Sequence, residues 1–477
     1  MNSQQDTIAA ISTGTGSAGI GIIRISGDQA IETGAELFQS ATGKDLRTAE
    51  AGKMLYGHIQ DPETGKTVDE VLIVKMNGPH SYTAEDVVEI NCHGGIVPTR
   101  RILDLVLSHG VRHAEPGEFT KRAFLNGRID LTQAESVMDV ISAKSDRALE
   151  ISVGQLSGTL RDQIHAIDRE ILDMLVLIES NLDYPEYEIE ELTSEKIEKG
   201  IESVRKHAGK ILEYGRNSYL MREGVKTAII GKPNVGKSSL LNLLLGEERA
   251  IVTDIPGTTR DVIHEGILIG DIPFVITDTA GIRETEDAVE KIGVEKSREA
   301  ADAADLVLFM RDASQPLDQD EKKLMSELDP DKTIYIANKA DLEHGDSDGD
   351  HKPADLNGDS DLNADLENVS RETIWRYVSV RNDDGIEDLR AEMSRKVTGG
   401  QVEGSGNSVL LNERQESLLR QMLHRIDEAE AALKSGMSAE FYSIDLTGAE
   451  ESLREITGES LGEDVIDTIF ERFCIGK

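Results

Sequence analysis

The sequence predicts a multidomain α/β protein in three parts: an N-terminal α+β domain, a discontinuous all-α helical domain, and an open, parallel-rich α/β domain inserted into the helical one. Three observations predict this. Short alternating apolar segments separated by Gly-containing turns fill residues 1–120. An apolar stripe at helical spacing dominates 121–220, and helical periodicity returns over 400–477. Between them, over 224–398, strand and helix patterns alternate. A length of 477 residues suits about three domains of ~150 residues.

In the first part, residues 20–25 (IGIIRI), 71–76 and 87–91 are expected strands, and 102–108 a helix. In the second, Leu160, Ile164, Ile167, Ile171, Leu175, Ile178 and Leu182 recur at spacings of three and four, which places one apolar face on a long helix. Tyr184-Pro185 stops it. Another helical run is expected over 194–219. In the third part, residues 225–231, 273–277, 305–310, 333–338 and 375–380 are apolar runs of buried-strand length. The last part repeats the helical period through Leu411, Leu418, Met422, Ile426, Ala429 and Leu433 and contains no expected strand. It is expected to pack against the 121–220 helices.

The charge is extreme. Lys and Arg total 51 against 90 Asp and Glu, for a net of −39. Such a surface repels phosphate backbones at long range, so any nucleic acid must be met through local patches or a partner. Carboxylates spread along the whole chain also suit a protein kept hydrated in high salt. No stretch approaches the ~20 apolar residues of a membrane span. Residues 1–11 lack the basic-then-apolar pattern of a secretory signal. Cys92 and Cys474 have no CxxC spacing, which excludes a disulfide framework and a structural zinc site. A cytoplasmic protein with no membrane contact is expected. Residues 343–368 carry nine acidic side chains and one Lys. Asp346, Asp348 and Asp350 have the spacing of early calcium-loop ligands, but His351 stands where that loop needs Gly, so a solvated surface insertion is expected.

Residues 231–238, Gly-Lys-Pro-Asn-Val-Gly-Lys-Ser, fit the phosphate-binding pattern GxxxxGK[ST] between an expected strand and an expected helix. The loop amides, with those at the helix start, wrap a β-phosphate. Lys237 reaches the β- and γ-oxygens, and Ser238 offers a hydroxyl to Mg²⁺. Asn234, Val235, Gly236 and Ser239 complete this segment. Asp278-Thr279-Ala280-Gly281 ends an expected strand, with Asp278 directed at Mg²⁺ through water and Gly281 at a γ-phosphate. Asn338, Lys339 and Asp341 end another. The Asp341 carboxylate matches the paired N–H donors of guanine, which adenine lacks. Ser379, Val380 and Arg381 suit a loop over the base. Between the first two motifs lies a polar, Gly/Pro-containing loop, Thr253, Asp254, Ile255, Pro256, Gly257, Thr258 and Thr259, with Thr259 a second hydroxyl for Mg²⁺.

These motifs, in this order, resemble the TRAFAC-class GTPases, and the whole chain resembles the MnmE (TrmE) family of tRNA-modification GTPases. The family's further marks are residues 116–127 (PGEFTKRAFLNG), the early 6–10 (DTIAA) and the terminal 474–477 (CIGK). The acidic insertion after Asp341 departs from the pattern and leaves the nucleotide motifs intact. The resemblance implies a Ras-like P-loop G domain and an N-terminal tetrahydrofolate-binding domain of the glycine-cleavage T-protein kind. It implies hydrolysis of GTP dependent on K⁺, which stands where an arginine finger would. Asn234, Thr253, Ile255 and Thr258 are the implied K⁺ ligands. Glu290 is implied to orient the attacking water, because Ile282 occupies the place of the Ras glutamine. Read by itself, Glu290 is an ordinary solvated helix-start glutamate, and only the resemblance gives it this role. Arg24, Glu89, Arg128 and Lys477 are the implied ligands of a 5-formyl- or 5,10-methylene-tetrahydrofolate. Cys474 is either a thiol within reach of the carried one-carbon unit or a small apolar filler. The implied partners are a second copy of the chain, an FAD-containing protein of the MnmG type in a heterotetramer, and tRNA. The implied product is a carboxymethylaminomethyl or aminomethyl group on C5 of the wobble uridine, U34. The competing readings are a ribosome-assembly GTPase of the Era or EngA kind, which would bring a basic RNA-binding domain such as a KH fold, and a folate-binding scaffold with a vestigial nucleotide site. No such basic domain is expected beside the G domain, and Lys237, Ser238, Thr259, Asp278 and Asp341 are all intact.

Overall fold

The computed structural model describes residues 6–14, 16, 18–183, 190–215, 218–247, 264–278, 298–342, 374–398 and 409–477. The chain divides into two compact units. One comprises 1–138, 154–209 and 414–477, and the other 139–153 and 210–413.

The first unit is built on seven strands: β1 (Ile8–Ile11), β2 (Ile20–Ser26), β3 (Phe38–Ser40), β4 (Leu55–Gln60), β5 (Thr67–Met76), β6 (Val87–His93) and β7 (Arg112–His113). They lie in the order β3-β4-β5-β6-β2-β1-β7. The β1–β7 pair is parallel and the others antiparallel. In β2, Ile23 and Ile25 are fully buried while Arg24 between them is half-buried. That alternation directs the isoleucines to one face, where the helices Ala30–Leu37 and Ile96–Ser108 pack, and Arg24 to the other. Each fully buried Ile contributes about 1.5–3 kcal/mol. The core joins Ile23, Ile25, Ile73, Ile90, Ile102 and Val106. Strand β1 is buried on both faces, with Ile8 and Ala10 against Phe119 of the helix Glu118–Leu125.

The long amphipathic stripe forms the helix Thr159–Asp183, which packs along Ala439–Thr457. The run expected over 194–219 divides into Glu190–Gly215 and Ser218–Glu223. The last stripe forms Glu413–Lys434, with Leu411 preceding the helix. At about 100° per residue Leu433 stays on the face of Met422, Ile426 and Ala429 and is half-buried, with Ala432 buried beside it.

The chain end is seated on this unit through Phe470 and Phe473. Ile466, Phe470 and Phe473 pack on Ala123, Ile129, Leu131 and Ala134. The Gly117 amide donates to the Cys474 carbonyl at 3.2 Å, and Pro116 and Ile475 form an antiparallel bridge. Gly476 has a φ of +90°, and a Cβ there would strike the Ile11 carbonyl. Only glycine meets both conditions.

The residues 6–10 and 116–127 meet in an ion network. Asp6 pairs with Arg112 at 2.7 Å and Arg122 at 2.6 Å. Arg122 also reaches Glu118 at 3.0 Å and Glu85 at 3.2 Å. Arg122 and Glu118 are 6% and 7% exposed. Burial would raise the Glu118 carboxyl, but hydrogen bonds from Arg112, the Glu115 amide and Arg122 outweigh it and hold it below its ordinary value. Asp6 is held down in the same way against burial by both arginines.

The second unit carries β8 (Val225–Ile230), β9 (His264–Ile269), β10 (Ile272–Asp278), β11 (Leu306–Asp312), β12 (Thr333–Asn338) and β13 (Trp375–Val378), in the order β13-β12-β11-β8-β10-β9. Only the β9–β10 pair is antiparallel. Every residue of β11 and β12 is buried, as a parallel sheet covered on both faces requires. One core holds Ile229, Leu240, Phe274, Leu308, Ile336 and Leu389, and the other Ile230, Val307, Phe309, Leu324 and Trp375. No helix among the described residues is long and apolar enough to cross a membrane.

Replacing Arg122→Met takes one of its two cations from Glu118 and leaves it Arg112, so a loss of about 1–3 kcal/mol is expected at pH 7. Both carboxyls ionise more readily folded than unfolded. Their contribution is therefore complete above the ordinary carboxylate range near pH 4 and is lost as the pH falls through the depressed folded values. Thermal melting from pH 7 down to pH 3 should show the gap between parent and variant closing at the acid end.

Candidate functional site

In an open parallel sheet the ligand crevice lies at the carboxyl ends of the strands. The motifs of the second unit collect there. Strand β8 ends at Ile230 and the loop 231–236 leads into the helix Lys237–Glu247. Gly231 has a φ of +143°, and a Cβ on it would collide with the Met310 carbonyl of β11. The neighbouring strand thus dictates glycine at the loop's first position. Asn234 takes a left-handed conformation with φ +66° and is exposed, while Val235 is buried and anchors the loop. Lys237 curls back inside, its ammonium donating to the carbonyls of Gly231 at 2.7 Å and Lys232 at 2.6 Å. Ser238 and Ser239 face outward at the helix start.

Asn338, at the end of β12 and 4% exposed, binds two loops at once. Its side-chain N–H donates to the Val235 carbonyl at 2.8 Å, and its oxygen accepts from the Val380 amide at 3.1 Å. Asp341 is exposed in the turn beyond, where one carboxylate oxygen accepts from the Ser379 hydroxyl at 2.8 Å. Lys339 sits at φ +64° and pairs with Asp312 at 2.6 Å. Burial would raise the Asp312 carboxyl, yet Lys339 and Ser314 hold it below its usual value. Arg381 is exposed beside Val380. Asp278 closes β10, in register with Ile229 of β8, so its backbone arrives at the same end of the sheet. Thr253, Asp254, Ile255, Pro256, Gly257, Thr258, Thr259, Thr279, Ala280, Gly281, Glu290 and the insertion 343–368 lie outside the described residues.

The described donors suit the expected cations in kind. The Ser238 hydroxyl and the Asn234 amide are hard oxygen donors, exposed at the rim of the loop.

The expected folate residues of the first unit fall into a second cluster. Arg24 and Glu89 are paired across β2 and β6, with Nε to Oε1 at 2.9 Å. The Arg24 guanidinium stands 5.2 Å from the Tyr82 ring centre and 5.5 Å from that of Phe119. Arg128 stands 5.1 Å from the Tyr82 ring. The Tyr82 hydroxyl is 2.8 Å from Thr120 Oγ1. Ala10 pairs with Arg24 in the sheet, and Gly476 sits against Ile11 one residue further along. Lys477 is therefore tethered at the end of β1, its amide donating to Cys474 O at 3.3 Å. Cys474 is a free, exposed thiol. Tyr82 escaped sequence reasoning: it lies in a segment of Gly, Pro, Ser and Thr without periodicity, and only its contact with two arginines distinguishes it.

A family model described as the MnmE helical domain matches residues 131–474, and one described as the GTP-binding protein TrmE N-terminus matches 7–128. A protein of Lactiplantibacillus plantarum named tRNA modification GTPase MnmE is 46% identical over 474 residues, covering 99% of this chain and 98% of its own. One of the same name from Carboxydothermus hydrogenoformans is 46% identical and covers 99% and 100%. Another, from Geobacillus kaustophilus, is 44% identical and covers 99% of each chain.

The Asp341 carboxylate, steadied by Ser379, gives a test of base recognition. Asp341→Asn should weaken GTP binding at least tenfold and shift preference toward xanthosine triphosphate, whose 2-oxo group accepts where guanine donates. Competition of both nucleotides against a fluorescent GDP measures it; an unchanged preference rejects the role.

Proposed function

The chain belongs to the MnmE family of tRNA modification GTPases, and from that premise we propose a specific chemistry: K⁺-dependent hydrolysis of GTP coupled to modification of the wobble uridine of certain tRNAs. In this reading the chain acts as a homodimer and with an FAD-containing partner of the MnmG type. A one-carbon tetrahydrofolate supplies the carbon placed on C5 of U34. Most of the tRNA contacts fall to the partner, in keeping with a net charge of −39 on this chain.

The observation that carries the folate part is the Arg24–Glu89 pair beside Tyr82 and Arg128. A carboxylate suits the forked N–H donors of the aminopterin edge, and the arginines suit the glutamate tail. Lys477 adds a further cation. Cys474 is assigned the thiol near the carried carbon, in keeping with its exposure.

In the G domain, Lys237 would leave the loop carbonyls for the β- and γ-phosphate oxygens, and Asp341 with Asn338 and Lys339 would fix the base. Ser238 and Thr259 would hold Mg²⁺, and Asn234, Thr253, Ile255 and Thr258 would hold K⁺; together the ions would supply positive charge against the negative charge developing between the terminal phosphoryls. Glu290 would orient the attacking water, a task the Ile282 side chain cannot perform for want of a polar atom.

Phosphate release from GTP should be at least tenfold faster in KCl than in NaCl, and Glu290→Ala should slow single-turnover hydrolysis with GTP affinity unchanged. Equal rates in both salts would remove the potassium role. For the tRNA chemistry, mass spectrometry of wobble uridines from cells lacking the protein should show the C5 modification gone, and Glu89→Gln should fail to restore it fully while retaining GTPase activity. Unaltered uridines would overturn the assignment.

A further inference from the structure

We propose that Lys232 is a positioning residue of the nucleotide site: it cancels two carboxylates at the rim of the phosphate loop and so lets a polyphosphate approach. Lys232 is the second residue of that loop, and its carbonyl accepts one of the Lys237 hydrogen bonds. Its side chain turns away from the loop's interior. The ammonium pairs with Asp318 and lies 3.7 Å from Glu321.

The two acids have a structural task that keeps them in place. Asp318 accepts from the amides of Asp320 at 3.0 Å and Glu321 at 2.9 Å, and Glu321 accepts from the Asp318 amide at 3.1 Å. This reciprocal cap starts the helix Gln319–Glu327. The cap costs the site two negative charges beside a loop whose purpose is to hold anions. Glu321 is 8% exposed, so water screens it poorly.

A pocket of about 90 Å³ borders the loop here, lined among others by Lys232, Asn234, Val235, Asp312, Glu321 and Lys339. Lys339 is committed to Asp312 at 2.6 Å. Of the three acids Asp312, Asp318 and Glu321, two therefore have Lys232 as their cation among the described residues. An ordinary exposed ion pair contributes 0–1 kcal/mol to stability and nothing to a ligand. This one differs by its place. Without Lys232, two carboxylates would repel the incoming phosphates inside a chain already at −39. Because the repulsion acts on bound substrate and transition state alike, it raises KM and leaves kcat.

The test uses the full-length protein with fluorescent GDP for affinity and phosphate release for turnover. Potassium is held constant while choline chloride sets the ionic strength. Lys232→Met should weaken GDP and raise KM for GTP roughly tenfold at low ionic strength, with kcat within about twofold, and the loss should shrink several-fold near ~0.5 M salt. Lys232→Arg should behave as the parent. Asp318→Asn with Glu321→Gln, residues that keep the cap, should restore affinity in the Lys232→Met background. Parental affinity in Lys232→Met overturns the proposal. So does a loss indifferent to salt, or one that neutralising both acids fails to reverse, since either would mark a structural role.

Discussion

A buried amide must satisfy both its donor and its acceptor, and in the second unit Asn338 does so by holding two loops that have no other reason to meet. Its N–H takes the Val235 carbonyl of the phosphate loop, and its oxygen takes the Val380 amide of the segment 379–381. Leaving either group unpaired at 4% exposure would cost about 1–3 kcal/mol. The loop 231–236 and the segment 379–381 are thus joined through one side chain at the end of β12. The surrounding sheet makes this possible: β8, β11, β12 and β13 run parallel and deliver their carboxyl ends to one edge.

The first unit follows the same constraint with charge instead of an amide. Arg122 is too deeply buried to stand alone, and it gathers Asp6, Glu85 and Glu118 around it. That network ties the start of the chain to the helix Glu118–Leu125. The aromatic cluster of Phe470 and Phe473 then seats the end of the chain on the residues following that helix. Asp6 and the residues 474–477 both lie near β1, whose partner β2 carries Arg24. Residues 6–10, 116–127 and 474–477 are thus brought to one place from distant parts of the chain.

Much of the architecture was legible in residue periodicity. The helix Thr159–Asp183 follows its apolar stripe, and β5, β6, β8 and β12 follow their apolar runs, because period and length there allow one reading. Strands β3, β4, β7 and β9 left no such trace. They are short, half-exposed or at sheet edges, so their strand identity comes from neighbours. The helix Glu413–Lys434 likewise follows its stripe, with Leu433 half-buried and Ala432 buried beside it.

By itself the sequence determined the strand, glycine-containing loop and helix of residues 225–247, since residue type at fixed spacing acts there through local backbone geometry. It also determined the order of the parts along the chain. Only the tertiary structure decided which charges cancel. That Arg24 answers Glu89 across two strands, that Tyr82 lies against two guanidiniums, and that Lys232 is taken up by a helix cap some ninety residues away are facts of three-dimensional proximity. Electrostatic energy depends on distance through space and on burial, and neither quantity is written in the spacing of residues along a chain.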